Sequence, residues 1–254
     1  GMCQYCRRGA DNLCANRLLA GIECGGTFVE IVRAEERRVF HVPENVDVRL
    51  AVLVTEVAVL VNALEMGWEA SEKRDRVTVI GAGSLGIHAV WLAREWGATE
   101  VHVVDPRPDR IELALKVGAD VAIAPEHYDN WVNENLAERG AGVALVVTDH
   151  LNAILHGCRS LRARGCVVCI GLPDGDIGAV PRYYPNLLAK ELVVRGCYAK
   201  SSAHIARAIE LLKSRGSVVF EDYERISISE SGAKRLIEVA QYWPDGRRYM
   251  VTNA

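Results

Sequence analysis

The sequence predicts an α/β fold in which a parallel β-sheet is covered by helices on both faces. Short runs of apolar, mostly β-branched residues alternate with segments of helical periodicity between positions 77 and 215. A glycine-rich turn follows the first of these apolar runs, and an acidic residue ends the second. Strands that alternate with helices require right-handed crossovers, so the predicted sheet is parallel and doubly wound.

The individual elements follow in order along this region. We expect strands at residues 77–81, 101–104, 120–123, 143–147, 166–170 and 192–195. We expect one helix behind the glycine turn and further helices at residues 109–117, 127–139, 151–164 and 203–215. Ligands of a doubly wound sheet bind outside the carboxyl ends of its strands, so the site is predicted at that edge.

The turn GAGSLG directly follows the first predicted strand and contains Gly81, Gly83 and Gly86. Gly81 permits the tight strand-to-helix turn, Gly83 lets the backbone approach a pyrophosphate, and Gly86 lets the helix pack closely on the strand. Free N–H groups at the start of the helix, where Ser84 and Leu85 lie, would bind the anion. This context predicts a dinucleotide site, and the alternative is a glycine-rich turn of another α/β domain.

Asp105 ends the second predicted strand, about 20 residues beyond the glycines, where such sites hold the adenosine ribose. A carboxylate about 4 Å from the 2′-phosphate of NADP would cost about 4 kcal/mol at an effective dielectric near 20, so NAD is favoured over NADP. Arg107 and Arg110 weigh against this choice because either could reach a phosphate. The alternative for Arg110 is that it lies along the adenosine or pairs with Asp105.

The same strand-end rule nominates the loops that would meet the ribose and the nicotinamide. These are Thr148 with Asp149, Gly171 with Leu172, and residues 196–198. Cys166 and Cys169 have a spacing that resembles a metal or redox motif. On a strand they would point to opposite faces of the sheet, so we expect both to be core residues.

Composition and charge exclude several classes of function. The chain has 254 residues, of which 50% are hydrophobic and 25% charged, and its net charge is -3. It can therefore bury a core, and it has no general attraction to nucleic acid or to anionic membranes. The most apolar run, residues 50–64, is interrupted by Glu56 and is shorter than the roughly 20 residues of a bilayer span. No signal-peptide pattern precedes the cysteines, so we expect a cytoplasmic protein with reduced thiols.

Cys3, Cys6 and Cys14 lie close together near the start of the sequence. Closely spaced cysteines in a reducing compartment suggest zinc held by thiolates, which requires about four tetrahedral ligands. Cys24 is the nearest further thiol, and it lies in a separate turn-like stretch. The sequence leaves both possibilities open, three thiolates that hold a metal and three that hold none.

The ordered segments GMCQYCRRGADNLC, GIECGGTFVEIV, HVPENV and VTVIGAGSLG resemble the zinc-containing medium-chain alcohol dehydrogenases, a family that includes sorbitol, threonine and archaeal glucose dehydrogenases. The resemblance implies an NAD-binding Rossmann domain and part of a mainly β, GroES-like catalytic domain. It also implies a structural zinc lobe, whose last three cysteines match Cys3, Cys6 and Cys14. Glu56 aligns with the third ligand of the catalytic zinc, although Val57 stands where a proline commonly follows. The alternative for Glu56 is a helix acid satisfied by an arginine or a backbone group.

This resemblance divides the sequence into four parts. We expect a remnant of the catalytic domain with the cysteine lobe at residues 1–50, a linking helix region at 51–72, the Rossmann domain at 73–216 and a return to the catalytic domain at 217–254. Strands are expected at residues 27–32 and 39–42 in the first part. The last part is expected to contain strands at 226–228 and 249–252, a helix at 232–241 and a turn at 244–246.

The expected function is that of a zinc-type, NAD-dependent dehydrogenase, which transfers a hydride between an alcohol or polyol and NAD. In the family, the first two catalytic-zinc ligands and a hydroxyl proton relay lie upstream of the segments matched here, so we expect this chain alone to be catalytically incomplete. The alternative is a truncated, non-catalytic NAD-binding protein that acts as a sensor or is a remnant. Apolar surface left by a missing segment favours a homo-oligomer, and the sequence does not identify the small-molecule substrate.

Overall fold

A computed structural model describes residues 1–27, 29, 31–71, 75–136, 139–150, 152–171, 180–213, 223–227 and 248–252. Its main feature is a sheet of the strands β1 Arg76–Ile80, β2 Glu100–Val104, β3 Val121–Ile123, β4 Ala141–Val146, β5 Leu161–Cys169 and β6 Val193–Gly196. The strands are all parallel and lie in the order β3-β2-β1-β4-β5-β6. The chain reverses its direction of winding between β1 and β4, which is where doubly wound sheets open a ligand crevice. The predicted fold class is confirmed.

Helices connect these strands and cover both faces of the sheet. The α-helices among the described residues are α1 Gln4–Arg7, α2 Val48–Ala51, α3 Val54–Ala70, α4 Ser84–Glu95, α5 Pro108–Val117, α6 Pro125–Asn135, α7 Ala153–Ser160, α8 Val180–Ala189 and α9 Ser202–Lys213. The first three precede β1, and α1 packs against residues 11–13. Their bounds follow local sequence signals. In α5, Pro108 occupies the first turn, where its missing N–H costs nothing, and Gly118 ends the helix in the left-handed region with φ 115°.

Two hydrophobic clusters lie on opposite faces of the sheet, because successive strand residues point to opposite sides. In β1, Val77 and Val79 belong to the larger cluster, to which α3, α4 and α9 contribute. Ile80 belongs to the smaller cluster, to which α6 and α7 contribute. Cys166 lies in the larger cluster and Cys169 packs against the smaller one, so the prediction that they face opposite sides is confirmed.

Helix α3 is the apolar element expected in the linking region. Most of its residues from Val57 to Trp68 are buried, and it packs against α4 and α9 as well as β4 and β5. A Cβ atom at Gly67 would lie 2.6 Å from Val143 Cγ1, so glycine allows this close approach to the sheet. No helix among the described residues is both long and apolar enough to span a bilayer.

Three local predictions are wrong. Residues 39–42 form no strand, nor do the described members of 27–32, and Ile31 is 86% exposed. An alternating pattern forms a strand only beside a partner, and the bridge between Ala20 and Cys24 is the nearest pairing in this described stretch. The helix expected at 151–164 ends at Ser160, because Leu161 begins β5 by pairing with Ala141 of β4. Tertiary pairing overrides the helical propensity of this segment.

Two further strands, β7 Tyr223–Ser227 and β8 Arg248–Thr252, pair with each other in parallel. The strand expected at 249–252 is therefore confirmed, and β7 overlaps the strand expected at 226–228. The helix expected at 232–241, the turn expected at 244–246 and the candidate site residue Leu172 lie outside the described residues.

Candidate dinucleotide site and cysteine cluster

The glycine turn connects β1 to α4 at the point where the sheet reverses its winding. Gly81 has φ 102°, in the left-handed region that favours glycine. A Cβ atom at Gly86 would overlap the carbonyl oxygen of Gly81, so α4 can start this close to the turn only with glycine at this position. A Cβ atom at Gly83 would meet nothing closer than the Arg110 guanidinium at 3.9 Å, which leaves room for a ligand to approach the backbone.

The loops behind β1, β4 and β5 meet at the carboxyl edge of the sheet. A Cβ atom at Gly81 would lie 3.2 Å from Cβ of Thr148, and one at Gly171 would overlap the carbonyl oxygen of Thr148. The backbone N–H of Gly171 donates to the carbonyl of Val146 at 3.2 Å. The structure thus brings together Gly81, Thr148 and Gly171, which the sequence nominated from three separate segments.

Asp105 lies against the glycine turn and is 3% exposed. Its Oδ2 accepts a hydrogen bond of 2.7 Å from the N–H of Ala82, and its Oδ1 accepts one of 2.9 Å from the N–H of Arg107. Arg110 Nη1 lies 3.8 Å from Oδ2, so the expected pairing of Arg110 with Asp105 is present. The Arg107 side chain instead pairs with Asp109, at 2.7 Å and 3.0 Å. The carboxylate therefore borders the crevice beside the predicted pyrophosphate position.

Glu56 reaches across from α3 to the first two turns of α4. Ser84 Oγ donates a hydrogen bond of 2.8 Å to Glu56 Oε2, and His88 Nδ1 lies 2.8 Å from the same oxygen. The His88 side chain is 2% exposed and that of Glu56 is 40% exposed. Sequence reasoning missed His88 as a partner of this acid. The spacing of Ser84 and His88 puts both on one helix face, but it does not indicate that α3 lies opposite.

The three clustered cysteines come together as predicted. The Sγ atoms of Cys3, Cys6 and Cys14 all lie within 4.8 Å of one another, and those of Cys3 and Cys6 are 3.5 Å apart. Thiolates bound tetrahedrally to zinc at about 2.3 Å have sulfurs about 3.8 Å apart, so the three sulfurs fit three positions of such a site and leave one further ligand position. A hydrogen bond from the Cys6 backbone lowers the pKa of the Cys3 thiol to about 7, whereas the side-chain contact with Cys3 raises the pKa of Cys6, so Cys3 is the thiol of this pair that ionises first.

The cysteines buried in α7 and β5 have raised pKa values. Burial raises the pKa of Cys166 to about 11 and that of Cys158 to about 12. Among the described residues, the cysteine cluster is the one group of three or more closely spaced His, Cys, Asp or Glu side chains. Glu56 belongs to no second group of this kind, and its Oε2 faces Ser84 and His88. Among the described residues, the cysteine cluster offers three thiolates to a structural zinc, whereas Glu56 offers a single carboxylate that already contacts Ser84 and His88.

The cysteine lobe is attached to the start of α9 by polar contacts. Asp11 accepts hydrogen bonds from the N–H of Ser202 at 2.9 Å and from its hydroxyl at 2.6 Å, and Asp11 also pairs with Arg38. Arg17 donates to the Tyr198 hydroxyl at 3.1 Å and lies 4.8 Å from the centre of its ring. These contacts connect the lobe with the loop behind β6.

A chain of polar contacts lies at the start of β2. His102 is fully buried, its Nε2 lies 2.7 Å from Glu100 Oε1, and Glu100 also pairs with Arg76. Burial lowers the pKa of His102, although its contact with Glu100 opposes this shift. The neutral imidazole is therefore the form that the folded chain favours.

A doubly wound sheet with a glycine turn at its switch point and an acid on that turn defines the fold of a dinucleotide-binding protein. A family model described as zinc-binding dehydrogenase matches residues 84–214, which is more than half of the chain. The chain belongs to this family, the zinc-containing medium-chain alcohol dehydrogenases. The resemblance expected from the sequence is confirmed.

Individual relatives agree with this assignment. The L-threonine 3-dehydrogenase of Caldanaerobacter subterraneus subsp. tengcongensis is 28% identical over 179 residues, which cover 70% of this chain and 51% of that protein. The chain thus spans about half the length of this relative.

Two solved structures illustrate the shared fold and its ligands. An alcohol dehydrogenase from Escherichia coli, in complex with NADH, has a TM-score of 0.82 and 20% identity, covering 99% of this chain and 72% of that one. A zinc-binding dehydrogenase from Sinorhizobium meliloti, bound to NADP, has a TM-score of 0.78 and 25% identity, covering 92% of this chain and 68% of that one. Nicotinamide dinucleotides of both kinds therefore occur among similar structures.

Proposed function

We propose that this chain binds NAD and provides the cofactor-binding part of a zinc-type alcohol or polyol dehydrogenase. The observation that carries the proposal is the Asp105 carboxylate held against the N–H of Ala82, inside the glycine turn where the sheet reverses its winding. The turn of Gly81, Gly83 and Gly86 would cradle the pyrophosphate, with the N–H groups of Ser84 and Leu85 as donors. Domain boundaries at residues 50, 72 and 216 are part of the same proposal.

Each part of the dinucleotide has a set of residues that could hold it. Asp105 would accept hydrogen bonds from the adenosine ribose hydroxyls, and Arg110 would lie beside the adenosine. Thr148 and Gly171 would border the nicotinamide half of the crevice. When bound, NAD supplies a nicotinamide ring that accepts or gives a hydride at C4. The protein residues bind it, orient it and exclude water from it.

The choice of NAD over NADP follows from the charge of Asp105. A 2′-phosphate beside this carboxylate would bring together two negative groups in a largely buried place, which is unfavourable. Arg110 offsets part of that repulsion, because its guanidinium lies 3.8 Å from Asp105. We therefore propose a preference for NAD that is moderate in size.

A structural zinc in the cluster of Cys3, Cys6 and Cys14 is the second part of the proposal. The sulfur spacing and the lowered pKa of Cys3 support it. Bound zinc would stabilise the lobe, where Cys14 is the one buried residue before Val46 among the described positions.

The substrate class and the oligomeric state are further parts of the proposal. Relatives that are alcohol dehydrogenases support a small hydroxylated substrate for this chain. The proposal includes neither nucleic acid nor a membrane as a partner. Apolar side chains are exposed at several positions, namely Leu18, Ile22, Ile31, Val39, Val52 and Leu188. Surface of this kind supports a homo-oligomer or contact with further protein.

Titration of the purified chain with NADH tests the main proposal. We expect saturable quenching of tryptophan fluorescence and enhanced NADH fluorescence, with weaker binding of NADPH. Asp105→Ala should weaken NADH binding. Asp109→Ala, which removes an exposed acid four residues away, should leave NADH binding unchanged. Absence of saturable binding of either dinucleotide would reject the proposal.

A second candidate function is NAD binding without catalysis by this chain. The observation that favours it is the engagement of Glu56 by Ser84 and His88, in place of further metal ligands. Zinc-loaded protein should then bind NADH and one equivalent of zinc, yet reduce no NAD with a panel of simple alcohols and polyols. Turnover with any of these substrates would contradict this candidate and favour the complete dehydrogenase.

A further inference from the structure

We propose that Glu56 blocks the pyrophosphate end of the cofactor crevice in the cofactor-free chain and must release Ser84 before a dinucleotide can bind. This inference rests on the proposed function. It makes Glu56 a positioning residue that weakens cofactor binding, a different role from the metal ligand that the family resemblance implies.

The first argument concerns the single proton of the Ser84 hydroxyl. Ser84 is the first residue of α4, directly behind Gly83 at the N-cap. Its hydroxyl donates to Glu56 Oε2 at 2.8 Å. A hydroxyl group has one proton to donate. While it is engaged by Glu56, Ser84 cannot donate to a phosphate oxygen at the same helix start.

The second argument concerns charge. The N-terminus of a helix attracts anions, and Glu56 already places a carboxylate there. A pyrophosphate at the same position would face this negative group. Two unit charges about 6 Å apart at an effective dielectric near 20 repel by an energy equivalent to about a hundredfold in affinity. Because the Glu56 side chain is 40% exposed, solvent and salt reduce this effect, and we expect about five- to tenfold.

The third argument is that Glu56 is held in place from two successive turns of α4. His88, one turn beyond Ser84, places Nδ1 2.8 Å from the same oxygen. Helix α3, which carries Glu56, is buried against α4 and the sheet from Val57 onward. The backbone therefore offers little freedom to withdraw the acid. Release of the crevice takes place by rotation of the Glu56 side chain.

Glu65 provides a matched control on the same helix. Its Oε2 lies 3.2 Å from His204 Nε2, and its side chain is 46% exposed. Glu56 and Glu65 thus have similar exposure and the same kind of partner. Nine residues separate them, which is about 13 Å along a helix, so Glu65 lies away from the glycine turn. Glu65→Gln removes the same charge without altering the crevice.

The test compares NADH dissociation constants of the wild-type chain, Glu56→Gln and Glu65→Gln at low ionic strength. We expect Glu56→Gln to bind NADH about five- to tenfold more tightly and Glu65→Gln to stay within about twofold of wild type. The gain should shrink at 0.5 M NaCl. It should also shrink in a Ser84→Ala background, because the hydroxyl that Glu56 engages is then gone. Glu56→Ala, compared in the same way, replaces Glu56→Gln if the latter does not fold.

The outcomes separate this inference from the proposed function. If the wild-type chain binds NADH and Glu56→Gln binds it equally or more weakly, the inference is wrong and the proposed function stands. If no variant binds NADH, both are wrong. Zinc content gives an independent readout. Equal zinc in wild type and Glu56→Gln supports the inference, and loss of zinc on this substitution would instead identify Glu56 as a metal ligand and overturn it.

Discussion

The carboxylate of Asp105 and the N–H of Ala82 are joined by a hydrogen bond of 2.7 Å, although 23 residues separate them in the chain. This contact fixes the end of β2 to the glycine turn behind β1. It gives one side chain two tasks, because Asp105 supports the turn and also borders the place proposed for the adenosine ribose.

Substitution of Asp105 tests both tasks together. Asp105→Ala leaves the N–H groups of Ala82 and Arg107 without their acceptor, so we expect the free energy of unfolding to fall by about 1 to 3 kcal/mol. NADH binding should weaken at least about tenfold, while NADPH binding should weaken less, since a repulsive charge is also lost. Urea denaturation and paired dinucleotide titrations measure these effects. An unchanged ratio of NADPH to NADH affinity would contradict the proposed role of the acid.

Substitution of Gly86 tests the packing of α4 on the turn. The Cβ atom of Gly86→Ala would overlap the Gly81 carbonyl oxygen, and overpacking of this kind costs about 1 to 3 kcal/mol. We expect this loss in urea denaturation, together with loss of NADH binding. Gly25→Ala is the control, because a Cβ atom there meets nothing within 4 Å and Gly25 lies outside the proposed crevice. Equal stability of the two variants would show that α4 can shift away from the turn.

Substitution of Asp11 tests the attachment of the cysteine lobe to α9. Asp11→Ala removes the acceptor for the N–H and hydroxyl of Ser202 at the helix start, and loss of such a cap costs about 1 kcal/mol. We expect faster hydrogen exchange at residues 202–205 and in the lobe. Glu35→Ala, which breaks an exposed pair with Arg37, should have little effect. Unchanged exchange at α9 in Asp11→Ala would contradict the coupling.

Acidification should destabilise the chain through His102. Burial lowers the pKa of this imidazole in the folded state, so the unfolded chain binds the extra proton more readily. The contribution of neutral His102 to stability is fully present above about pH 6.5, the pKa of histidine in the unfolded chain. It is lost as the pH falls below that value. Glu100, whose pKa is lowered because hydrogen bonds from Arg76 and His102 outweigh its burial, adds a loss of the same sign at lower pH.

Urea denaturation between pH 5 and 7.5 measures this dependence. The slope of the free energy of unfolding against pH should become smaller in His102→Gln. It should stay unchanged in His127→Gln, since His127 is exposed. A wild-type slope retained in His102→Gln would assign the effect to other groups, such as His156, whose pKa burial also lowers.

Metal removal tests the cysteine cluster. We expect about one equivalent of zinc in the purified chain, and its removal by a chelator should lower the thermal midpoint. Cys14→Ser should abolish zinc retention, because Cys14 belongs to the cluster. Cys24→Ser is the matched control, since Cys24 is exposed and lies outside the cluster. Full zinc content in Cys14→Ser would place the metal elsewhere.

Much of the nucleotide-binding fold could be predicted because its signals are local. Short-range rules of turn geometry and strand composition are enough to interpret the β-branched run before Gly81, the glycines and the acid at position 105. The predictions of a strand at residues 39–42 and at the described members of 27–32 were wrong for the opposite reason. Alternation indicates which side chains could share a face, but a strand also needs a partner ladder, which no local pattern supplies.

Local sequence signals were enough to predict the fold class, the glycine turn, the acid of the proposed ribose site and the clustering of Cys3, Cys6 and Cys14, because each depends on neighbours within one or two elements. Tertiary structure alone decided that β5 begins at Leu161 and that Asp11 reaches Ser202. It also decided that Glu56 faces Ser84 and His88. These contacts join segments that are distant along the chain, and only the packing of α3, α4 and α9 on the sheet brings them within hydrogen-bonding distance.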